Sequence, residues 1–162
     1  MSENKIPHLG LSMIVKDEEH CIERCLESMA PYIDYWVICD TGSTDKTKEV
    51  IQAFFDKKKI PGELIEIPWE GFGVSRTKAL ELCKGKMEYA WMIDADDSLV
   101  GTPKLPKTLT ADGYTLRIKR GDFTWWRNHI FRLDADWYYE GILHEYAACK
   151  KTPFAAFKIK GD

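Results

Sequence analysis

Two rhythms of apolar and polar positions alternate along the first hundred residues. Leu9 to Val15 is a short, nearly unbroken apolar run, the pattern of a strand buried on both faces. Lys16, Asp17, Glu18 and Glu19 then predict the opening of a helix, with acids in the first turn where the macrodipole favours them. Ile22, Cys25, Leu26 and Met29 recur at three- and four-residue spacing and give that helix one apolar face, which Pro31 ends. Tyr35 to Cys39 is a second strand, closing at Asp40, and Thr41 to Thr44 turns the chain. A helix from Asp45 to about Asp56 carries Val50, Ile51, Phe54 and Phe55, and Ser43, Thr44 and Asp45 stand where its cap is needed. Pro61 and Gly62 precede a third strand, Leu64 to Ile67. A third helix runs from near Val74 to Cys83, and a fourth strand from Tyr89 to Ile93.

Strands separated by helices of this length build a parallel sheet with right-handed crossovers. The texture changes after Asp97. Pro103 and Pro106 mark a loop, and Tyr114 to Ile118 alternates as a strand with one wet face does. Trp125 to Leu133 and Trp137 to Tyr146 read as further strands, antiparallel to their neighbours. The expected class is α/β, a mostly parallel central sheet flanked by helices with antiparallel C-terminal strands.

Length and composition narrow the function classes. The 162 residues suit one domain, and 44% apolar with 30% charged residues is ordinary for a soluble protein. A formal charge of -3 supplies no basic excess for a nucleic-acid backbone, so no nucleic-acid partner is expected. No stretch reaches the roughly 20 apolar residues of a transmembrane span, and the first residues lack the apolar core of a signal peptide. Five cysteines with no CxxC pair point to unpaired thiols in a reducing, cytoplasmic compartment rather than to a zinc site.

The candidate chemistry sits at strand ends. Ligands of open α/β sheets bind beyond the carboxyl ends of the strands. Acids stand at three of these ends: Asp17 and Glu18, then Asp40, then Asp94, Asp96 and Asp97. Three carboxylates within four residues repel one another unless something positive joins them. Two oxygen ligands one residue apart suit a hard divalent cation, Mg²⁺ or Mn²⁺, which keeps positions open for phosphates. Arg76 and Lys78, near the start of the third helix, complete a candidate diphosphate clamp. No P-loop and no GxGxxG signature is present.

The ordered segments LSMIVKDEE, VICDTGSTDKT, WEGFGVSRTKALE and WMIDADD resemble family 2 glycosyltransferases of the GT-A (nucleotide-diphospho-sugar transferase) fold. The resemblance covers residues 9 to 100 closely, and HIFR with WYYEGILHEY is similar to the later part of a subgroup that carries a His-Glu pair. It implies an inverting transferase that moves a sugar from a nucleotide-diphosphate donor, with UDP the first candidate, to a glycan or other hydroxyl acceptor, using Mn²⁺ or Mg²⁺. Asp94-Ala95-Asp96 would be the DxD motif, with Asp96 the direct metal ligand and Asp94 near the ribose or metal. Asp17 or Glu18, together with Asp40, would line the nucleoside pocket, and Arg76 would lie close to the diphosphate. Lys78 replaces an amide of the family pattern and would add a phosphate contact, with a surface salt bridge as the alternative role. His144 would ligate the metal or contact the diphosphate. Glu145 is the candidate base that takes the acceptor proton, and Asp97 the second candidate. Part of the set Trp125, Trp126, Trp137, Tyr138 and Tyr139 is expected to form a sugar platform, whereas Trp69 is expected to pack. The chain stops soon after the His-Glu pair, so a minimal enzyme or one domain of a longer protein is expected. Two other readings remain. One is a noncatalytic nucleotide-sugar-binding module; the other is a nucleotidyltransferase, against which the acidic turn at Lys16 to Glu19 argues.

Overall fold

The computed structural model describes residues 6–141, 145–151 and 156–159. Four parallel strands come first: β1 (Leu9–Val15), β2 (Tyr35–Asp40), β3 (Gly62–Glu66) and β4 (Tyr89–Met92). Helices α1 (Ile22–Met29), α2 (Thr47–Lys58) and α3 (Phe72–Cys83) connect them. Then come β5 (Gly113–Arg120), β6 (Phe123–Arg132), β7 (Trp137–Glu140), β8 (Tyr146–Cys149) and β9 (Ala156–Lys158). The main sheet has the order β3-β2-β1-β4-β6-β5-β9, and β7 with β8 forms a separate two-stranded sheet. β6 runs antiparallel to both β4 and β5, while β9 joins β5 in parallel. Among the described residues no helix is long and apolar enough to cross a membrane.

Period-two alternation sorts the strands into two cores. Leu11, Met13, Trp36, Ile38, Tyr89 and Trp91 face α1 and α2, burying Ile22, Leu26, Ile51 and Phe55. Val37, Cys39, Ala90 and Met92 face the other way, against Ala79, Leu80 and Cys83 of α3 and against Phe131 and Trp137. Trp36 anchors the first core by stacking on Phe55, with ring centroids 4.3 Å apart. Its indole N–H donates to the Ile60 carbonyl at 3.0 Å, so the buried ring leaves no polar atom stranded.

The chain builds outward from β1 to β3 and then crosses back, so the strand order reverses between β1 and β4. Such a switch point opens a crevice at the carboxyl ends of its strands.

Three local expectations are corrected. The first helix starts at Ile22, not at Lys16. Asp17 takes a left-handed φ of 51°, which ends helical continuity. The amides of Asp17, Glu18 and Glu19 are instead captured by Ser43, Thr47 and Asp45 of the facing loop. The stretch from Trp137 to Tyr146 is not one strand: β7 and β8 pair as an antiparallel hairpin, Trp137 opposite Cys149. Finally, α2 begins at Thr47 rather than at Asp45, with Lys46 as its N-cap, and Asp45, one residue further out, accepts the Thr47 N–H on its Oδ1 at 2.9 Å.

Candidate functional site

A cavity of about 650 Å³ opens over the switch point. Lys16 and Glu18 reach it from the end of β1, Thr41 from the end of β2, and Asp94 and Asp96 from the end of β4. Trp69, Phe72 and Arg76 enter from the start of α3, Arg127 from β6 and Glu145 from the head of β8. Three basic side chains and four carboxylates therefore line one space.

Local geometry explains the acids. Ala90 and Met92 point toward α3, so the same alternation aims Asp94, two residues on, at that helix. Its Oδ1 accepts from Arg76 Nη2 at 2.6 Å. The other arm of the Arg76 guanidinium pairs with Glu145. Arg76 is almost wholly buried, lies over the Phe72 ring at 5.2 Å, and ties a carboxylate from the end of β4 to one from the head of β8. A bidentate, planar cation is suited to that bridging position.

Glu145 owes its place to the packing of α3 on the hairpin. Thr77 Oγ1 accepts the Tyr139 N–H at 2.9 Å and donates to the Gly73 carbonyl. A Cβ at Gly73 would sit 3.2 Å from the Gly141 carbonyl oxygen, so a small residue permits this close approach.

Carboxylate oxygens of Asp94, Asp96 and Asp97 all lie within 4.8 Å of one another. That all-oxygen donor set fits a hard divalent cation. Burial pushes the Asp97 carboxyl above its ordinary value; Arg120 opposes the shift, and the neighbouring Asp94 and Asp96 add to it. Asp97 also forms an ion pair with Arg120 at 2.8 Å.

The other residues singled out in the sequence scatter. Asp17 stays outside the cavity, and its Oδ1 accepts the Thr44 and Asp45 amides at 2.6 and 3.2 Å, latching two loops together. Glu18 is the acid of that pair that faces the cavity. Asp40 is buried beside a separate depression shared with Lys48 and Glu66. Its Oδ1 accepts the Gly42 and Ser43 amides at 2.9 and 2.8 Å, while Oδ2 is buried with no partner among the described residues. Lys78 lies away from the cavity in a depression bordered by Tyr138 and Tyr139. Two residues after Arg76 on a helix it must point to the other side. His144 lies outside the described residues.

Sequence reasoning missed Arg127, Lys16 and the aromatic rim. In the antiparallel ladder Tyr89 pairs with Arg132 and Trp91 with Ile130. Beyond those pairs β6 carries Arg127 to the cavity that Asp94 also lines, a placement no local pattern announces. Neither Lys16 nor Arg127 forms an ion pair with a described residue. Trp69 does not pack into the core: it is 46% exposed, edge-on to Phe72 at 4.8 Å. Of the expected sugar platform, Trp137 is buried with its N–H on the Asp112 carbonyl, whereas Trp125 and Trp126 are partly exposed on the β5–β6 hairpin.

A sequence profile described as "Glycosyl transferase family 2" matches residues 11–157. The lipopolysaccharide core biosynthesis glycosyltransferase LpsC of Rhizobium meliloti is 35% identical over 96 residues, 58% of this chain and 34% of LpsC. A TPR repeat-containing protein of Synechococcus elongatus is 29% identical over 93 residues, 57% of this chain and 21% of its own length. The chain thus spans about a third or less of these curated relatives. Among solved structures, S. aureus TarS 1-349 in complex with UDP-GlcNAc superposes with a TM-score of 0.55 at 18% identity, covering 72% of this chain and 36% of that one. This likeness shows the fold, which is the GT-A arrangement.

Proposed function

The chain belongs to glycosyl transferase family 2, and from that premise we propose that it moves a sugar from a nucleoside-diphosphate donor to a hydroxyl acceptor, with inversion. The observation that carries this reading is the meeting of Asp94 and Asp96 with Arg76, Arg127 and Lys16 around one cavity. A diphosphate needs cations on several sides, and a carboxylate group repels it unless a cation lies between them. Asp94, Asp96 and Asp97 would hold Mn²⁺ or Mg²⁺, which when bound offsets charge on the departing diphosphate. Uridine diphosphate is the first probe, because TarS of the same fold is solved with UDP-GlcNAc.

In this reading Lys16 and Arg127 hold the diphosphate, and Arg76 keeps Asp94 and Glu145 in register. Glu18 and the rim ring of Trp69 border the nucleoside end, and the buried, unpartnered Oδ2 of Asp40 supports a hydrogen bond from the base or ribose. Glu145 takes the proton of the acceptor hydroxyl. The acceptor oxygen attacks the anomeric carbon from the face opposite the diphosphate, and the carbon–oxygen bond to phosphate breaks with its electron pair leaving on the diphosphate. Both acids are paired with an arginine, and Glu145 is preferred over Asp97 as base because it lines the cavity and Asp97 does not.

Calorimetry of UDP binding, with Mn²⁺ and with chelator, combined with turnover of a panel of nucleotide sugars, tests the proposal. Tight binding with Mn²⁺, weak binding with chelator, and release of the nucleoside diphosphate from one donor are expected. Equal affinity in both conditions sinks the metal bridge. Binding without any turnover, across donors and acceptors, makes the chain a noncatalytic module.

A further inference from the structure

The turn between β1 and α1 gathers three kinds of donor in four residues. The Cys21 and Ile22 amides both donate to the Glu18 carbonyl, at 3.1 and 3.0 Å, so the backbone doubles back. That fold sets the Glu18 carboxylate, the His20 ring and the Cys21 thiol with ligating atoms all within 4.8 Å of one another. The Cys21 Sγ already lies 3.1 Å from Glu18 Oε2 and donates to it.

This donor set differs in kind from the acids at the end of β4. Asp94, Asp96 and Asp97 offer oxygen alone, whereas this turn adds an imidazole and a thiol, ligands that select softer transition metals. With metal–ligand bonds of about 2.0 to 2.3 Å, tetrahedral geometry puts ligand atoms about 3.3 to 3.8 Å apart. The Cys21–Glu18 pair, at 3.1 Å, is a few tenths of an ångström below that span and would open slightly. Closing the rest takes about 1 to 1.5 Å at most, which rotation of the exposed His20 side chain can supply.

We propose that Glu18, His20 and Cys21 form a second metal site, selective for Zn²⁺ or a similarly thiophilic divalent cation, with its fourth position open. Binding releases the Cys21 thiol proton to solvent and leaves the metal joined to the thiolate. Glu18 also lines the donor cavity, so an ion here ties up one wall residue of that cavity. The site does not depend on the transferase reading.

Co²⁺, a spectroscopic stand-in for Zn²⁺, tests it on the full chain. One equivalent should give thiolate-to-cobalt charge-transfer absorption in the near ultraviolet, and added Zn²⁺ should remove it. Cys21→Ser should abolish the absorption, and His20→Ala should weaken Co²⁺ binding by more than about tenfold. Asp96→Asn should leave the absorption intact, which separates this site from the oxygen cluster. No charge-transfer absorption with Co²⁺ overturns the proposal. Absorption that survives in Cys21→Ser also overturns it, because the thiolate is then another of the five cysteines.

Discussion

At the carboxyl end of β2, Asp40 is buried and turns back on its own chain, accepting two backbone amides of the next three residues. At the end of β4, Asp94 instead reaches across to α3 and meets a buried guanidinium, while Asp96 opens into the cavity. Both ends are apolar runs closed by aspartate, and the sequence signal is nearly the same. What separates them is the local supply of partners. Thr41-Gly42-Ser43 folds into a turn whose amides lie within reach of Asp40. Asp94, carried by strand alternation toward α3, finds its partner 18 residues away in sequence. Asp94 is thereby tied to the far side of the cavity, whereas Asp40 has one oxygen held by its own turn and only Oδ2 left for another partner.

The largest effect that would test this contrast lies at the β4 side. Glu145→Gln should lower sugar transfer by about 10²- to 10⁴-fold, the usual contribution of a general base, with UDP affinity in Mn²⁺ close to wild type. Near-normal transfer in Glu145→Gln together with its loss in Asp97→Asn would move the base into the strand-end cluster. Next comes Arg76→Ala, which strands the Asp94 and Glu145 carboxylates beside each other. Loss of about 3 to 5 kcal/mol in urea unfolding is expected, the range for breaking a buried ion pair from one side. A loss under about 1 kcal/mol, the value of a surface pair, would show that solvent already screens the triad.

Asp40→Ala comes third, with a stability loss of about 1 to 3 kcal/mol because two backbone amides lose their acceptor. Asp40→Asn keeps that acceptor and alters only Oδ2, so it should spare stability while weakening UDP binding. If the asparagine variant binds UDP as well as wild type, Asp40 serves the turn alone and the two strand ends differ completely. The smallest effect is expected for Lys78→Ala, within about 0.5 kcal/mol in both UDP binding and stability, as for an ordinary surface position. A tenfold loss of UDP affinity would bring Lys78 back into the diphosphate site.

The hairpin carrying Glu145 sharpens the same point. In the run from Trp137 to Tyr146 the signal of a division is Gly141, which takes a φ of 100°, and the strand-favouring aromatics before it mask that break. The division lets β8 fold back on β7 and deliver Glu145 to Arg76. The helix expected at Lys16 failed for a related reason. Its acids suit a first helical turn, yet side chains of the α2 loop compete for the same amides, and local propensity yields to such tertiary partners.

The amino-acid pattern alone was enough for the alternation of strands and helices up to β4, the parallel half of the sheet, and the clustering of Asp94, Asp96 and Asp97. These follow from apolar periodicity and from residues adjacent along the chain. Strand pairing is a different matter, because the partner of a strand can lie anywhere along the chain. It took the packed fold to bring Arg127 of β6 to the cavity that Asp94 lines, to turn Glu18 rather than Asp17 toward that cavity, and to turn Lys78 away from it. The Arg76 bridge between Asp94 and Glu145 belongs to the same class. It exists because α3 packs on the sheet and the hairpin together, and a burial shared by three elements leaves no local trace.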